Sequence, residues 1–281
     1  MLGATYSLVA IGYTLIFGVL GLLHFAHGEV LMAGAFMGLY IIVWSGLPLY
    51  ITLPLAMVAT GLLGIIIDFL AIKPLRKDFH LAPLLSTIGV TIILHNLAIK
   101  LFGGYGTRFP DAIQDIHFKV GSVFFTSINI LILGVALLLM VVLYFIIKKT
   151  KIGKATRAVA ESHLVAGLLG ANVDWIVLIT FGIASALAGA AGVMIGITFH
   201  AISPYIGLTF ALKGLVVMLL GGLGNVVGAM IGGVILGLAE VMSIALLPTE
   251  INLQDFFSFG IMILILIFKP TGLFGSRTAQ K

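Results

Sequence analysis

Long apolar stretches without Asp, Glu, Lys or Arg alternate with short polar segments along the chain. A helix needs about 20 apolar residues to cross the hydrocarbon core of a bilayer, and two stretches are long enough for two crossings. One of these is interrupted at Gly46-Leu47-Pro48 and the other between His200 and Gly207, where Ser203-Pro204 is typical of a turn. The charge-free stretches are Met1 to Gly28, Val30 to Ile67, Phe79 to Ile99, Val120 to Ile147, Trp175 to Leu212, Gly214 to Ala239 and Phe256 to Phe268. The pattern predicts eight or nine crossings, depending on the short segment from Leu208 to Leu220.

The basic residues form three clusters between the apolar stretches, and these clusters predict the orientation of the chain. Cytoplasmic loops of membrane proteins carry an excess of Lys and Arg. We therefore expect the clusters and the C-terminus to face the cytoplasm, and the loop from Gly103 to Lys119 to face outwards. The N-terminus is then outside, provided that the chain turns between His24 and His27. The clusters are Lys73, Arg76 and Lys77; Lys148, Lys149, Lys151, Lys154 and Arg157; and Lys269, Arg277 and Lys281.

The composition agrees with a membrane protein and excludes several other classes. Only 9% of the 281 residues are charged and 61% are hydrophobic, whereas soluble domains carry roughly 25% charged residues. The absence of cysteine excludes disulfide scaffolds, thiolate zinc sites and iron–sulfur clusters. The first lysine is Lys73, so no basic segment precedes the opening apolar stretch, which is predicted to be a membrane span rather than a cleavable signal peptide.

These observations together predict the fold class and the general environment. The chain is expected to be an all-α, multi-pass helical bundle with eight or nine transmembrane helices, some of them short or broken. We expect a single transmembrane domain over residues 1–281 and no soluble domain. The net charge of +5 comes from clusters between apolar spans, so membrane lipid is the expected partner and nucleic acid is not.

Small residues recur at four-residue spacing in two segments, which places them on one face of a helix. In lipid, helices associate by close backbone approach at such small residues rather than by the hydrophobic effect. We interpret both faces as tight packing surfaces, and the alternative is that these helices slide during transport. The residues are Ala184, Ala188, Gly192 and Gly196 in one segment, and Gly224, Gly228 and Gly232, with Gly233 and Gly237 alongside, in the other.

His24, His27 and Glu29 lie close together between two predicted spans. A metal site would use such residues, but three ligands from one turn give poor geometry and the sequence offers no further anchor. We therefore predict no metal, and favour a helix break whose polar groups lie in a protein-lined cavity. An intramembrane enzyme built on the two histidines lacks a positioned nucleophile.

Three charged residues, Glu29, Lys213 and Glu240, lie in or beside hydrophobic runs. A charge at the centre of a bilayer costs about 2.5–3.5 kcal/mol on insertion scales, so these side chains should face the bundle interior or a partner subunit. Two interpretations remain open. They form structural pairs, for instance Lys213 with Glu240, or they line a path for a solute.

The loop from Lys148 to Asp174 is the most distinctive polar segment. Its alanine-rich part, from Gly153 to Leu169, predicts a short helix on the cytoplasmic face, with Gly167 and Gly170 as stop signals. A helix anchored by lysines at the lipid surface is one interpretation. We favour a docking helix for a soluble partner, because its small side chains fit a protein groove better than a headgroup layer.

Several segments resemble, in order and over almost the whole length, the permeases of branched-chain amino acid ATP-binding-cassette (ABC) importers, and the LivH-type subunit more closely than its LivM-type companion. Two departures are His24, where the family usually has Asn, and Leu164-Val165-Ala166, where many relatives have Glu-Ala-Ala. The resembling segments are Tyr13 to Leu20 with His24 to Val30 near the N-terminus, Gly153 to Glu161 with Leu168 to Asp174 in the polar loop, and Leu208 to Gly214, Leu220 to Asn225 and Gly237 to Glu240 near the C-terminus.

The resemblance implies the all-helical fold shared with sugar permeases and a role in a heteromeric importer. The expected partners are a second, LivM-type permease, two ABC ATPase subunits and a periplasmic solute-binding protein, in a bacterial inner membrane. The chain itself would have no catalytic residue and no cofactor, with ATP used by the partner subunits. Coupling to the ATPase would involve Gly153, Ala155, Arg157, Ala158, Glu161 and Gly170, and the translocation path would involve His27, Glu29, Lys213, Gly221, Gly222 and Glu240.

The chain also lacks the Gly-x-x-x-x-Gly-Lys-Ser/Thr pattern of a phosphate-binding loop, so it is predicted to have no nucleotide site of its own. Permeases for urea and short amides share much of the family pattern and are an alternative for the substrate. A secondary transporter acting alone, with Glu29 or Glu240 carrying protons, is an alternative mechanism.

Overall fold

The computed structural model describes residues 1–76, 81–110, 116–120, 123–246 and 254–275, so the predicted basic residues Lys77, Arg277 and Lys281 lie outside it. The described chain is almost entirely helical. The helices are α1 (Leu2–Leu20), α2 (His27–Ser45), α3 (Leu49–Ile67), α4 (Leu81–Phe102), α5 (Ser127–Lys149), α6 (Lys151–Glu161), α7 (His163–Leu168), α8 (Val173–Phe199), α9 (Ile206–Gly221), α10 (Val226–Leu246) and α11 (Gln254–Phe268). A π-helical turn, Asp68–Ile72, and a 3-10 turn, Lys73–Leu75, continue α3.

The protein is an all-α, multi-pass membrane protein, as the sequence predicts. Within the described ranges, seven helices are long and apolar enough to cross a bilayer, and two further apolar helices, Ile206–Gly221 and Asp255–Phe268, are shorter. Both predicted interruptions are present. Gly46, in the left-handed conformation with φ 63°, ends α2 just before Pro48, which is the N-cap of α3. Helix α8 ends at Phe199 before α9 begins at Ile206. The segment from Leu208 to Leu220 lies within one continuous helix.

Helix α8 packs against α1, α2 and α3, and α1 and α8 are the most buried of the described spans. Its small residues permit this, as predicted for the first small-residue face. A Cβ on Gly192, which belongs to the predicted face, would overlap the carbonyl oxygen of Leu31 in α2. A Cβ on Gly189, which does not belong to that face, would overlap the side chain of Thr60 in α3. The close approach of these helix backbones therefore depends on glycine.

The second small-residue face differs from the prediction at one residue. Gly224 lies outside the helix, in the turn between α9 and α10, with φ 77°. The remaining glycines do pack closely: Gly228 contacts Gly221 of α9, while Gly233 and Gly237 contact α1 at Ser7 and Gly3. The prediction failed at Gly224 because four-residue spacing alone does not show where a helix begins.

Two short strand pairs connect loops. β1 (Thr107–Arg108) pairs antiparallel with β4 (Ala201–Ile202), and β2 (His117–Val120) pairs with β3 (Val123–Thr126). The first pairing places the loop after α4 beside the end of α8. Because α8 begins at Val173, directly after α7, the helices α6 and α7 lie at the opposite end of α8 from this strand pair.

The polar loop forms two helices rather than the single helix predicted. Ser162 ends α6, and its hydroxyl accepts a hydrogen bond from the backbone N–H of Val165, so the same residue caps the start of α7. Serine is a strong N-cap because its side chain satisfies a free helical N–H. Gly167 lies inside α7 rather than ending it, and Gly170, with φ 87°, makes the turn that follows.

The orientation of the chain across the membrane remains a prediction, and single introduced cysteines test it. Gly106 and Lys151 are exposed and lie on the two loops that should face opposite sides of the membrane. We expect an impermeant maleimide to label a cysteine at position 106 in intact cells, and one at position 151 only after permeabilisation. The native chain has no cysteine and provides the blank. Labelling of position 151 in intact cells would contradict the orientation.

Candidate functional site

Lys213 of α9 and Glu240 of α10 form an ion pair inside the bundle. Lys213 Nζ lies 2.9 Å from Glu240 Oε1, which confirms the predicted pairing. Tyr6 of α1 donates its hydroxyl hydrogen to Glu240 Oε2 at 2.7 Å, and Lys213 Nζ lies 3.2 Å from the same hydroxyl oxygen. All three side chains are buried, so the two charges are neutralised and hydrogen-bonded where an isolated charge would be costly.

Helix α11 completes this cluster. Ser258 donates a hydrogen bond to Glu240 Oε1 at 2.5 Å, and Asp255, which is exposed, lies 3.4 Å from Lys213 Nζ. The cluster therefore joins α1, α9, α10 and α11 through polar contacts. We call Tyr6, Lys213, Glu240, Asp255 and Ser258 the four-helix cluster.

A second polar group lies at the turn between α1 and α2. The His27 ring is edge-on to Tyr13 with centroids 4.6 Å apart, and the His24 ring is edge-on to Phe181 at 5.1 Å. Both histidines are buried. Neither ring nitrogen of His24 has a hydrogen-bond partner among the described residues, while the His27 ring and the Tyr13 hydroxyl interact with the backbone of Val9 and of Gly28. Polar side chains are therefore buried where the chain turns between α1 and α2.

Glu29, in the first turn of α2, lies between the two histidines and a partly exposed histidine of α4. Its Oε1 lies 3.5 Å from Nδ1 of His95 in α4, while its Oε2 has no partner within the described ranges. The His95 ring is edge-on to Tyr205, just before α9, with centroids 5.4 Å apart. Glu29 is buried, His95 is partly exposed, and Tyr205 is 53% exposed. Side-chain contacts from Glu29 through His95 to Tyr205 therefore extend from the start of α2 to the protein surface.

A metal at this turn was not expected from the sequence. The two histidine rings are 6.2 Å apart between centroids. In the part of the chain that the structure describes, no group of three His, Asp or Glu side chains is placed to hold a metal ion.

The six predicted path residues occupy three places. His27 and Glu29 lie at the start of α2, and Lys213 and Glu240 lie in the four-helix cluster. Gly221 and Gly222 lie where α9 ends, with Gly221 against Gly228 and Gly222 against Gly275. The described hydrogen bonds and ion pairs do not connect these three places.

The predicted ATPase-coupling residues lie on α6 and at the turn after α7. Gly153 is buried against the end of α5, where a Cβ would overlap the carbonyl oxygens of Ile146 and Ile147. Ala155 packs partly against the core and faces inward, whereas Ala158, Glu161 and Gly170 are exposed.

Arg157, one of the predicted coupling residues, is exposed and contacts the end of α5. Its Nη1 donates to the carbonyl oxygen of Ile147 at 2.8 Å, so the guanidinium satisfies the end of α5, where a cation is favourable.

Several residues of interest were not found from the sequence. Leu164, Leu168 and Leu169 on and after α7 are 75%, 81% and 80% exposed. Their exposure could have been suspected only from the helix boundary at Ser162, which the sequence pattern did not show.

An ion-pair bridge at the end of the bundle that carries α6 and α7 was also missed. Arg76 lies 3.1 Å from the buried Asp68 and 2.9 Å from Asp174 at the start of α8, which joins α3 to α8.

Comparison with known proteins decides the family. A model described as branched-chain amino acid transport system / permease component matches residues 1–266. The chain belongs to this permease family. It is similar to the high-affinity branched-chain amino acid transport system permease protein LivH of Escherichia coli K12, at 37% identity over all of the chain and 94% of that protein.

The chain is also similar to two further permease proteins. The chain is 36% identical to permease protein BraD of Pseudomonas aeruginosa, over 99% of the chain and 94% of BraD. It is also 25% identical to LivM of Escherichia coli K12, named a permease protein of a high-affinity branched-chain amino acid transport system, over 95% of the chain and 67% of LivM. No solved structure was found to match. The resemblance to LivH-type permeases is confirmed.

The segments of this permease that resemble the family contain residues of the histidine turn and of the four-helix cluster. The N-terminal segment contains the turn with His24 and His27, and the C-terminal segment forms α9 with Lys213 and the Gly221 turn. These two segments meet in the structure, because a Cβ on Gly28 would contact Gly207 and Ala211 of α9.

Proposed function

We propose that this chain is a membrane-spanning subunit of an ABC importer that moves branched-chain amino acids across the bacterial inner membrane. The full-length similarity to permease proteins of branched-chain amino acid transport systems is the observation that supports this substrate class. In this proposal the chain has no catalytic residue and no cofactor. Two ATPase subunits bind and hydrolyse ATP, a periplasmic binding protein delivers the solute, and the C-terminus faces the cytoplasm.

The second permease completes the solute path in this proposal. The chain is similar to both LivH and LivM, which supports a pair of related permeases. We place the path along the side where Glu29, His95 and Tyr205 lead from the bundle interior to the surface, because charged and polar groups within a membrane mark solute routes. Gly221 and Gly222 lie at the inner end, and the buried, mutually satisfied Lys213 and Glu240 stabilise the helices beside it.

Helices α6 and α7 form the docking ledge for an ATPase in this proposal. Leu164 and Leu168 are four residues apart and so lie on one helical face, and Leu169 adds to the same exposed apolar surface. Burying a leucine fully is favourable by about 1.5–3 kcal/mol. These leucines extend the predicted contact, which consists of Gly153, Ala155, Arg157, Ala158, Glu161 and Gly170.

Solute uptake by the reconstituted complex tests the proposed function. The chain is assembled in vesicles with the second permease, the ATPases and the binding protein. Uptake of radiolabelled leucine, isoleucine and valine should require ATP, and urea should not compete. Uptake of urea would overturn the substrate class, and proton-driven uptake by the chain alone would favour a secondary transporter.

Replacement of Leu168 by alanine tests the docking ledge. Truncating a hot-spot side chain at an interface costs about 2 kcal/mol, roughly a 30-fold loss of affinity. We expect less ATPase to copurify with the permease and more ATP to be hydrolysed per solute moved. The matched control is Leu101→Ala near the end of α4, an exposed leucine outside the ledge whose truncation should change little.

Ala158→Trp tests the part of the ledge that the sequence predicted. It should uncouple hydrolysis from uptake if α6 enters the ATPase groove. Gly170 is unsuitable for such a test because its φ of 87° strains any bulky residue. Full ATPase retention and full coupling in both Leu168→Ala and Ala158→Trp would exclude this ledge as the contact.

A further inference from the structure

A cavity of about 360 Å³ lies at the end of the bundle that carries α6. It is formed by the last turn of α5, the outer side of α6, the end of α1 and the turn between α9 and α10. Its lining includes Gly18, Tyr144, Lys148, Thr156, Arg157 and Asn225. The cavity therefore lies where helices emerge from the predicted hydrocarbon region.

An apolar groove of about 380 Å³ runs between α5 and α10. Met140, Val141, Met230 and Val234 line it, and the lining has no polar surface. Tyr144 belongs to both the groove and the cavity. The two spaces therefore adjoin at Tyr144, one after the other along α5, and we call them together the α5 channel.

The charge in the α5 channel is positive and confined to one end. Lys148 and Arg157 line the cavity, and no Asp or Glu is among the described residues that do so. Lys148 Nζ lies 6.0 Å from the centre of the Tyr144 ring. Arg157 uses one N–H on the Ile147 carbonyl, and a guanidinium has five, so donors remain for a ligand. Thr156 and Asn225 add uncharged hydrogen-bonding groups at the same end.

We propose that the α5 channel binds one anionic phospholipid of the inner leaflet. The channel has cationic side chains at the membrane surface and a purely apolar groove towards the membrane interior. This arrangement matches a phosphate headgroup followed by an acyl chain. Basic pockets between transmembrane helices on the cytoplasmic side are typical sites for anionic headgroups. The assignment to the inner leaflet rests on the proposed orientation of the chain.

The surroundings of the groove favour a lipid over a protein occupant. The outer face of α5 carries exposed apolar residues beside the groove, including Leu137 and Val141 at 48% and 51% exposure. A second protein would have to place an acidic group at Lys148 and Arg157 and an apolar side at the groove. A phospholipid provides both in one molecule and surrounds the protein in the membrane.

Lipid retention by the purified full chain tests the headgroup end. The chain in neutral detergent is mixed with dioleoyl phosphatidylglycerol or dioleoyl phosphatidylcholine, and bound lipid is counted by native mass spectrometry. We expect preferential retention of phosphatidylglycerol, reduced about fivefold by Lys148→Gln and more by Lys148→Gln with Arg157→Gln. The control Lys149→Gln with Lys154→Gln removes the same charge from residues outside the channel lining and should retain the lipid.

A second pair of variants tests the acyl-chain end without changing charge. Val234→Trp fills the groove and should reduce phosphatidylglycerol retention, whereas Leu238→Trp, one turn further along α10 and exposed, should not. Inorganic phosphate at millimolar concentration should not displace the lipid, because it lacks the acyl chain.

Three results would overturn the lipid site. They are equal loss in the channel and control variants, equal retention of phosphatidylcholine, and crosslinking of a cysteine at Val234 to the second permease in the intact complex. The last would show that a protein fills the groove. Because retained lipid is measured rather than uptake, each of these results leaves the proposed transport function unaffected.

Discussion

Replacing Lys213 with methionine is expected to lower the free energy of unfolding by about 3–5 kcal/mol, the cost of leaving one charge of a buried ion pair without its partner. Glu240 is 1% exposed and would keep only its hydrogen bonds from Tyr6 and Ser258. Methionine has a similar length to lysine, so the change removes the charge with little loss of packing. The measurement is thermal or denaturant unfolding of the purified chain in one detergent.

The double variant Lys213→Met with Glu240→Gln should recover most of that loss. Glutamine can still accept from Tyr6 and donate to Ser258, and no buried charge is left without a partner. Lys100→Met, at the exposed end of α4, is the control and should change little. Losses that simply add in the double variant would show that the two side chains do not stabilise each other.

Gly192→Leu should destabilise the bundle strongly, because the added side chain would meet the backbone of α2 rather than a flexible neighbour. Overpacking of a filled interior costs about 1–3 kcal/mol and sometimes more. A main-chain oxygen, that of Leu31, cannot move without moving its helix. We therefore expect a lower unfolding midpoint and less protein extracted as a single species.

Gly134→Leu is the matched control for this prediction. Gly134 lies inside α5 with open space where its side chain would be, and leucine favours helix more than glycine does. It should leave the unfolding midpoint unchanged or raise it. If leucine at positions 134 and 192 lowered the unfolding midpoint equally, the close approach of α2 and α8 at Gly192 would make no specific contribution to stability.

Much of the fold follows from local sequence. Charge-free stretches of sufficient length predict the spans, and the Gly46-Leu47-Pro48 break ends one helix where a left-handed glycine and a proline leave few alternatives. The Lys213–Glu240 pair could also be predicted, because two opposite charges in neighbouring apolar helices have a strong physical reason to meet.

The partners of these charges could not be predicted from the sequence. Tyr6 is 234 residues from Glu240 along the chain, and an isolated tyrosine in an apolar helix has no pattern that shows which carboxylate it contacts. The same holds for His95 beside Glu29. Such contacts depend on how α1, α4 and α10 are placed around α8, which local periodicity does not encode.

The pairing of β1 with β4 has a consequence for how this permease can change over evolution. Thr107, Arg108, Ala201 and Ile202 are joined by main-chain hydrogen bonds, and the backbone N–H of Phe109 adds another to the His200 carbonyl at 2.9 Å. Main-chain groups are the same in every residue but proline. We expect the exposed side chain of Ala201 to vary among homologues while the loop stays hydrogen-bonded to the end of α8. A proline at position 109 should be selected against, because proline has no N–H to donate.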